Sequence, residues 1–154
     1  MRVSQLSHPT VVTISAEASV LDAAKLMRER HVGDVVVLEP NRRVPRGILT
    51  DRDLVVGLLA QGVEELSAIK VGDVVGRELV TVYGEEDALE CARKMAIHGV
   101  RRMPVLNITG DLIGIIAYDD LVAWLTRTLS ELTTLFGRQP ARESERRPGS
   151  SGPT

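Results

Sequence analysis

Thr50 and Asp53 are the residues whose types and spacing best fit a binding site. They lie in segment 47–54, where Gly47 and two aliphatic residues predict a short strand that runs directly into a helix. A hydroxyl at a helix start and a carboxylate three residues later form a cap near the positive end of the helix dipole. Such a carboxylate can also accept hydrogen bonds from ribose hydroxyls, and the hydroxyl with helix N–H groups can bind a phosphate. The residues alone leave both interpretations open.

The rest of the chain is repeated along with this segment. A weaker copy of residues 47–54 lies at 114–121, and residues 3–38 match residues 71–106 at an offset of 68. The offset falls to 67 after the polar turn 39–43, which holds one extra residue. A repeat of this length, present twice, predicts two supersecondary units packed against each other.

Each unit is predicted to fold as β-α-β-β-α, which places the chain in the α/β class. The β-branched runs 11–14 and 79–82 predict the first strands. Apolar residues then recur at i, i+3, i+4 and i+7, as on the buried face of a helix, and a buried strand follows. Gly33 and Gly99 are expected to end these helices. Pro104 lacks an N–H, so its strand is expected to be irregular or at a sheet edge.

The composition argues against several classes of partner. Of 154 residues, 44% are hydrophobic and 26% charged, and the formal net charge of −2 gives no reason to expect nucleic acid or a membrane. Cys91 is the one cysteine, so no internal disulfide can form. No signal peptide or membrane-spanning apolar run is evident, and we expect a cytoplasmic protein. The three histidines lack metal-ligand spacing, so no metal site is expected.

The repeats are assigned to residues 3–62 and 71–127, joined by a linker at 63–70. The last helix is expected to extend through 128–137, and the Arg-, Pro-, Ser- and Gly-rich tail 138–154 is expected to be disordered. An apolar stripe on this helix either packs on its own domain or contacts a partner subunit. The stripe comprises Leu121, Val122, Leu125, Leu129, Leu132 and Phe136, with Trp124 beside it.

These features resemble the tandem CBS-domain family, named after cystathionine β-synthase. The resemblance rests on two units in the right order, on segment 47–54 and on segment 99–105, Gly-Val-Arg-Arg-Met-Pro-Val. It covers about residues 3–127, and the two quoted segments are similar to those of stand-alone bacterial members. It implies a pseudo-two-fold pair of repeats, clefts between them that bind adenosine nucleotides, and a homodimer.

The resemblance implies a first cleft that combines segment 47–54 with the other repeat. In it, Asp53 would bind ribose hydroxyls and Thr50 a phosphate. Two valines would sandwich an adenine, and two arginines would hold phosphates through bidentate contacts, although most Arg-Arg pairs on protein surfaces are simply solvated. The residues assigned to this cleft are Thr50, Arg52, Asp53, Val80, Val100, Arg101, Arg102, Met103 and Pro104.

A second cleft is implied by the same symmetry, with two departures from the pattern. Ala117 has no hydroxyl, and Asp34 stands where Arg102 stands in the first cleft. A carboxylate there repels phosphate by roughly 1 kcal/mol. We therefore expect firm binding in the first cleft, and in the second weak binding, none, or an uncharged adenosyl group. The residues assigned to it are Val12, Val32, Gly33, Ala117 and Asp120.

The sequence favours a non-enzymatic sensor over two other functions. The sensor would bind AMP or ADP, with ATP, NAD and S-adenosylmethionine as further candidates, and would signal to an unknown effector protein through its conformation. The alternative is a structural homodimerisation or protein-interaction module with a vestigial cleft. Catalysis and a catalytic cofactor are not expected, because the sequence shows no nucleophile–base arrangement, glycine-rich phosphate loop or acid pair.

Overall fold

The computed structural model describes residues 1–76 and 78–144, and the side chains of residues 1–76 and 78–137. Helices and strands alternate along these residues. In chain order they are α1 (Val3–Leu6), β1 (Thr13–Ser15), α2 (Val20–Arg30), β2 (Asp34–Leu38), β3 (Pro45–Thr50), α3 (Asp51–Gly57), α4 (Val71–Val74), β4 (Val82–Tyr83), α5 (Ala88–His98), β5 (Arg102–Leu106), β6 (Leu112–Ala117) and α6 (Tyr118–Ser144). Two short 3-10 turns, Leu59–Gln61 and Leu66–Ala68, lead from α3 to α4.

Each repeat contains one three-stranded sheet. The strand orders are β1-β2-β3 and β4-β5-β6. In both sheets the first two strands are parallel and the last two antiparallel. The antiparallel pairs also shift register at equivalent points, after Val37 and after Val105. The predicted α/β fold of two β-α-β-β-α units is confirmed.

The second sheet loses one strand pair at Pro104. In the first sheet Thr13 pairs with Val36, and the Val36 N–H donates to the Val12 carbonyl at 3.0 Å. Pro104 is the counterpart of Val36 and has no N–H to donate. Pairing of β4 with β5 therefore begins one residue later, at Val82. Of the two predicted alternatives, an edge strand or an irregular one, the structure has the irregular one, because β5 is the central strand.

The strands and helix ends differ from the predictions in two further places. The first strands begin later than residues 11 and 79, at Thr13 and Val82. Helix α5 ends at Gly99 with φ 65°, as predicted, but α2 ends at His31 with φ 53°, not at Gly33. His31 is the counterpart of Gly99, so it takes up the same left-handed conformation, which histidine tolerates better than most residues.

The first segment of each repeat packs on the other repeat. The Val3 N–H donates to the Glu86 carbonyl at 2.9 Å, and its counterpart Val71 donates to Ala18 at 2.8 Å. Both valines are fully buried. Helix α1 thus completes the second repeat and α4 the first, where Val71 joins the core of α2, β2 and β3. Because α4 packs on the first repeat, the segment that follows it, beginning at Val75, lies next to β3.

The segment Met1–Tyr118 forms one compact unit, and a second unit begins at Asp119. Helix α6 extends to Ser144, past residue 137 where the sequence placed its end. Gly137 and Pro140 cost a helix about 1 and 3 kcal/mol, but good helix formers such as Ala141 follow them. Residues 145–154 of the predicted tail lie outside the described residues. No helix in the described part of the chain is long and apolar enough to span a bilayer.

Candidate functional site

A cavity of about 170 Å³ lies between the two repeats. The first repeat contributes Gly47 and Ile48 of β3 to its wall, and the second contributes three of the predicted site residues, Val80, Val100 and Arg102. The chain after α4 completes the wall with Gly76, Glu78 and Leu79. Apolar side chains, the guanidinium of Arg102 and the acidic residue Glu78 therefore line a common space.

The backbone of Val80 differs from its counterpart in the first repeat. The Val12 carbonyl accepts the Val36 N–H, whereas the residue in the corresponding place beside Val80 is Pro104. Since proline has no N–H, the Val80 carbonyl does not receive this ladder hydrogen bond. The Val80 carbonyl oxygen is thus a hydrogen-bond acceptor in the cavity wall that the pairing of β4 with β5 does not use. The proline at position 104 explains both why β4 is short and why this acceptor is not used.

Thr50 and Asp53 form a reciprocal cap at the start of α3. The Asp53 N–H donates to the Thr50 hydroxyl at 3.1 Å, and the Thr50 N–H donates to the Asp53 carboxylate at 2.9 Å. The predicted cap is confirmed. A carboxylate offers about four acceptor positions, and the cap uses one, so Asp53 keeps the capacity to bind hydroxyls. That binding role stays a prediction, since neither residue lines the 170 Å³ cavity.

A larger depression lies along α3. It measures about 430 Å³ and contains Arg52 and Asp53, two of the predicted site residues, on its wall. Its other lining residues are Val56, Gly57, Leu58 and Val74. Five of the nine predicted first-cleft residues are therefore divided between two cavities, one at β3 and one along α3. The other four line neither of these two cavities: Thr50, Arg101, Met103 and Pro104.

The structure separates the two neighbouring arginines. Arg102 lines the cavity and donates a hydrogen bond to Asp34. The Arg101 guanidinium lies over the Tyr118 ring, 5.6 Å from its centroid, a typical cation–π distance. The sequence assigned the Asp34 carboxylate to the second cleft only. The structure shows that it also contacts Arg102, a residue predicted for the first cleft, which compensates its charge.

In the second repeat, the chain before β1 covers β6. At the corresponding place in the first repeat, β3 forms part of the cavity wall. His8 and Ile115 exchange two backbone hydrogen bonds, of 2.8 and 2.9 Å. The counterparts of these residues are Gly76 and Ile48, which line the 170 Å³ cavity and, among the described residues, form no such pair. A side chain at Gly114 would also lie 2.9 Å from the His8 carbonyl oxygen. The chain before β1 thus lies tightly against β6.

The residues predicted for the second cleft lie on several elements. Val12 precedes β1, and Val32 donates to the Met27 carbonyl at 3.1 Å just after α2. The Gly33 carbonyl accepts the Asp51 N–H at 2.9 Å. Ala117 ends β6, and Asp120 lies in the first turn of α6 within the second compact unit. In the first cleft, Met103 is buried within β5 next to Pro104.

Two segments of the chain, residues 3–60 and 71–127, match the sequence profile of the CBS domain. The chain belongs to the CBS-domain family. The CBS domain-containing protein YhcV of Bacillus subtilis is 34% identical over 111 residues, which cover 72% of this chain and 76% of YhcV. Uncharacterized protein MK0525 of Methanopyrus kandleri is 30% identical over 132 residues, which cover 84% of this chain and 66% of that protein.

Solved structures of CBS-domain proteins share the fold. The CBS domain protein PAE2072 from Pyrobaculum aerophilum, complexed with AMP, superposes with a TM-score of 0.68 at 23% identity, covering 78% of this chain and 89% of that one. The hexameric CBS-CP12 protein from bloom-forming cyanobacteria gives a TM-score of 0.66 at 30% identity, covering 79% and 69%. The present chain is thus a CBS pair, of the kind found in regulatory proteins.

Sequence reasoning missed part of the cavity wall in this CBS pair. The sequence predicts Gly47 and Ile48 on a strand but not in the site, and it does not assign Gly76, Glu78 or Leu79 to the site. A side chain at Gly47 would lie 2.9 Å from the Val75 Cβ, so the close approach of these segments requires glycine. The sequence feature that could have identified this part of the wall is the glycine that begins both copies of the segment, at positions 47 and 114.

Among the residues that the structure describes, neither the cysteine nor a group of metal-ligating side chains lines this cavity. Burial raises the pKa of the Cys91 thiol to about 11, and the side chain is fully buried in α5. In the described part of the chain, no three or more His, Cys, Asp or Glu side chains are grouped to hold a metal ion.

Proposed function

We propose that this CBS pair is a regulatory module that binds an adenosine nucleotide, AMP or ADP in preference to others. The observation that carries the proposal is the cavity between the repeats, where Val80, Val100 and Arg102 meet. The AMP complex of the Pyrobaculum CBS-domain protein, which shares the fold, supports the choice of ligand class.

The adenine would bind between the side chains of Val80 and Val100. Two apolar surfaces suit the faces of a base, and a cavity of about 170 Å³ accommodates part of a nucleotide and not the whole. The Val80 carbonyl, which Pro104 cannot reach with an N–H, would accept a hydrogen bond from the exocyclic amino group. Recognition of this edge distinguishes adenine from guanine, which carries a carbonyl oxygen at the same position.

The ribose and phosphate would extend toward the start of α3. Asp53 would accept hydrogen bonds from the ribose hydroxyls while it keeps its cap with Thr50, and Arg102 would bind a phosphate. Because Arg102 also contacts Asp34, a phosphate competes with that carboxylate. One guanidinium compensates a short phosphate chain better than a triphosphate, which favours AMP or ADP over ATP; NAD and S-adenosylmethionine remain candidates.

The regulatory output would follow from a ligand that contacts both repeats. A ligand shifts an equilibrium only if it binds two conformations unequally. A nucleotide in this cavity would touch β3 of one repeat and Val80, just before β4, of the other. The output would reach an effector protein through a self-associated module, in keeping with the hexameric cyanobacterial relative. The alternative function, a dimerisation module with a vestigial cleft, is favoured by the exposed apolar face of α6.

Calorimetric titration of the purified chain with AMP, ADP, ATP, NAD and S-adenosylmethionine tests the proposal. We expect saturable binding of AMP or ADP near one per chain, and its loss in Arg102→Ala. Arg93→Ala is the matched control, because Arg93 also forms a surface ion pair, with Glu90, on a helix that does not line the cavity. No heat with any of the five ligands, on protein free of co-purified nucleotide, would favour the dimerisation module instead.

A further inference from the structure

We infer that helix α6 pairs with α6 of a second copy of this chain. The inference rests on the self-association proposed above and assigns a surface to it. The contact surface is a seam of five apolar side chains along one face of the helix. The seam residues are Val122, Leu125, Leu129, Leu132 and Phe136.

The spacing of the seam residues fits another helix. Their separations alternate between three and four residues, which gives the mean period of 3.5 that a two-helix supercoil requires. All five are exposed, from 43% at Val122 and Leu125 to 69% at Phe136. A continuous apolar row of this kind marks an interaction surface.

The residues that flank the seam carry no charge. In a two-helix supercoil, the flanking positions select the partner, because opposite charges there attract and like charges repel. Two copies of α6 can therefore approach without repulsion along the seam. Arg127 and Glu131 lie on the face away from it. The flanking residues are Thr126, Thr128, Thr133 and Leu135.

Two of the three threonines beside the seam satisfy their hydroxyl groups within the helix. Thr128 donates to the Trp124 carbonyl at 3.0 Å, and Thr133 donates to the Leu129 carbonyl at 2.9 Å. Burial of these side chains against a partner therefore leaves no unpaired hydroxyl, which would otherwise oppose a dry contact. Their methyl groups extend the apolar surface on both sides of the seam.

These three observations indicate a second copy as the occupant. A foreign helix with charged flanks would find no charged counterpart on α6, whereas an identical helix offers the same row of apolar side chains and the same neutral flanks. The surface is self-complementary, as a two-fold contact requires.

The test is the molar mass of the full chain, measured by light scattering and sedimentation over a range of concentrations. We expect Leu129→Glu with Leu132→Glu to halve the mass, or to raise the dissociation constant of that step by more than about tenfold, because a charge would be buried in the seam. Thr134→Glu is the control, since it adds a charge to the same helix away from the seam. Circular dichroism verifies that helix content is unchanged.

A second variant excludes loss of the helix as the cause. Leu129→Ala with Leu132→Ala raises helix propensity, and we expect it also to weaken association. If the wild-type chain associates and both pairs of variants keep its mass, the seam inference is overturned while self-association stands. A wild-type monomer at all concentrations would overturn both. Nucleotide titration of the same variants separates these results from the ligand proposal, because the variants are expected to bind as the wild type does.

Discussion

Arg102 donates a hydrogen bond to Asp34, and the two residues occupy the same position in the two repeats. The pseudo-two-fold relationship thus brings a residue into contact with its own counterpart, and the sequence supplies opposite charges there. The contact lies at the rim of the cavity between the repeats, since Arg102 lines it. A ligand phosphate that binds Arg102 has to compete with this carboxylate.

Replacement of Asp34 therefore tests the competition. We expect Asp34→Asn to strengthen ADP binding by up to about fivefold, because an exposed ion pair contributes about 0–1 kcal/mol. The dissociation constant from calorimetry is the measurement. Glu90→Gln, which removes the acidic partner of Arg93, should leave the affinity unchanged. Weaker ADP binding in Asp34→Asn would show that Asp34 orients Arg102 instead of competing for it.

Asp53 should affect stability and binding to different extents. Asp53→Ala removes the half of the α3 cap in which the Thr50 N–H donates to the Asp53 carboxylate. We expect this loss to cost up to about 1 kcal/mol of unfolding free energy, and also to abolish measurable AMP binding. Ser19→Ala is the matched control, because it removes the Asp22 cap interaction of α2 at similar cost without a predicted binding role. Denaturant unfolding and calorimetry measure the two effects. If Asp53→Ala and Ser19→Ala bind AMP equally well, Asp53 is a cap and nothing more.

Gly47 and Gly57 should respond oppositely to the same substitution. Gly47→Ala places a Cβ 2.9 Å from the Val75 Cβ at the cavity wall, and we expect it to destabilise the protein by about 1–3 kcal/mol. Gly57 ends α3 with no atom within 4 Å of an added Cβ, so Gly57→Ala should stabilise by about 0.5–1 kcal/mol. Denaturant unfolding distinguishes the two. Equal effects would mean that the segment after α4 adjusts freely against β3.

The exchange of first segments can be followed through Cys91, which is fully buried in the second repeat. Val3 packs on the second repeat and Val71 on the first. We expect Val3→Ala to accelerate modification of Cys91 by a thiol reagent more than Val71→Ala does, although each removes two buried methyl groups. Equal acceleration would mean that the thiol is reached only when both repeats unfold together.

The raised pKa of Cys91 predicts a loss of stability in alkali. The pKa is about 11 in the folded protein, against 9.0 for an ordinary thiol, because burial disfavours the thiolate. The unfolded chain releases the proton first, so the unfolding free energy should decrease as the pH rises from 9 towards 11. Cys91→Ala should show a smaller decrease over this range. An identical pH dependence in the two proteins would contradict the effect.

The sequence by itself determined the repeat, the α/β class and the cap at Thr50. These features depend on periodicity and on contacts between residues three apart, which are local in the chain.

Tertiary structure decided which residues surround the cavity. Gly47, Gly76 and Val80 come together because α4 packs on the first repeat, an exchange that no local pattern encodes. The contact of Arg102 with Asp34 has the same origin, since the residues are 68 positions apart and meet only when the repeats pair. The covering of β6 by His8 likewise depends on the path of the chain. Long-range packing therefore decides which residues meet at each of these places.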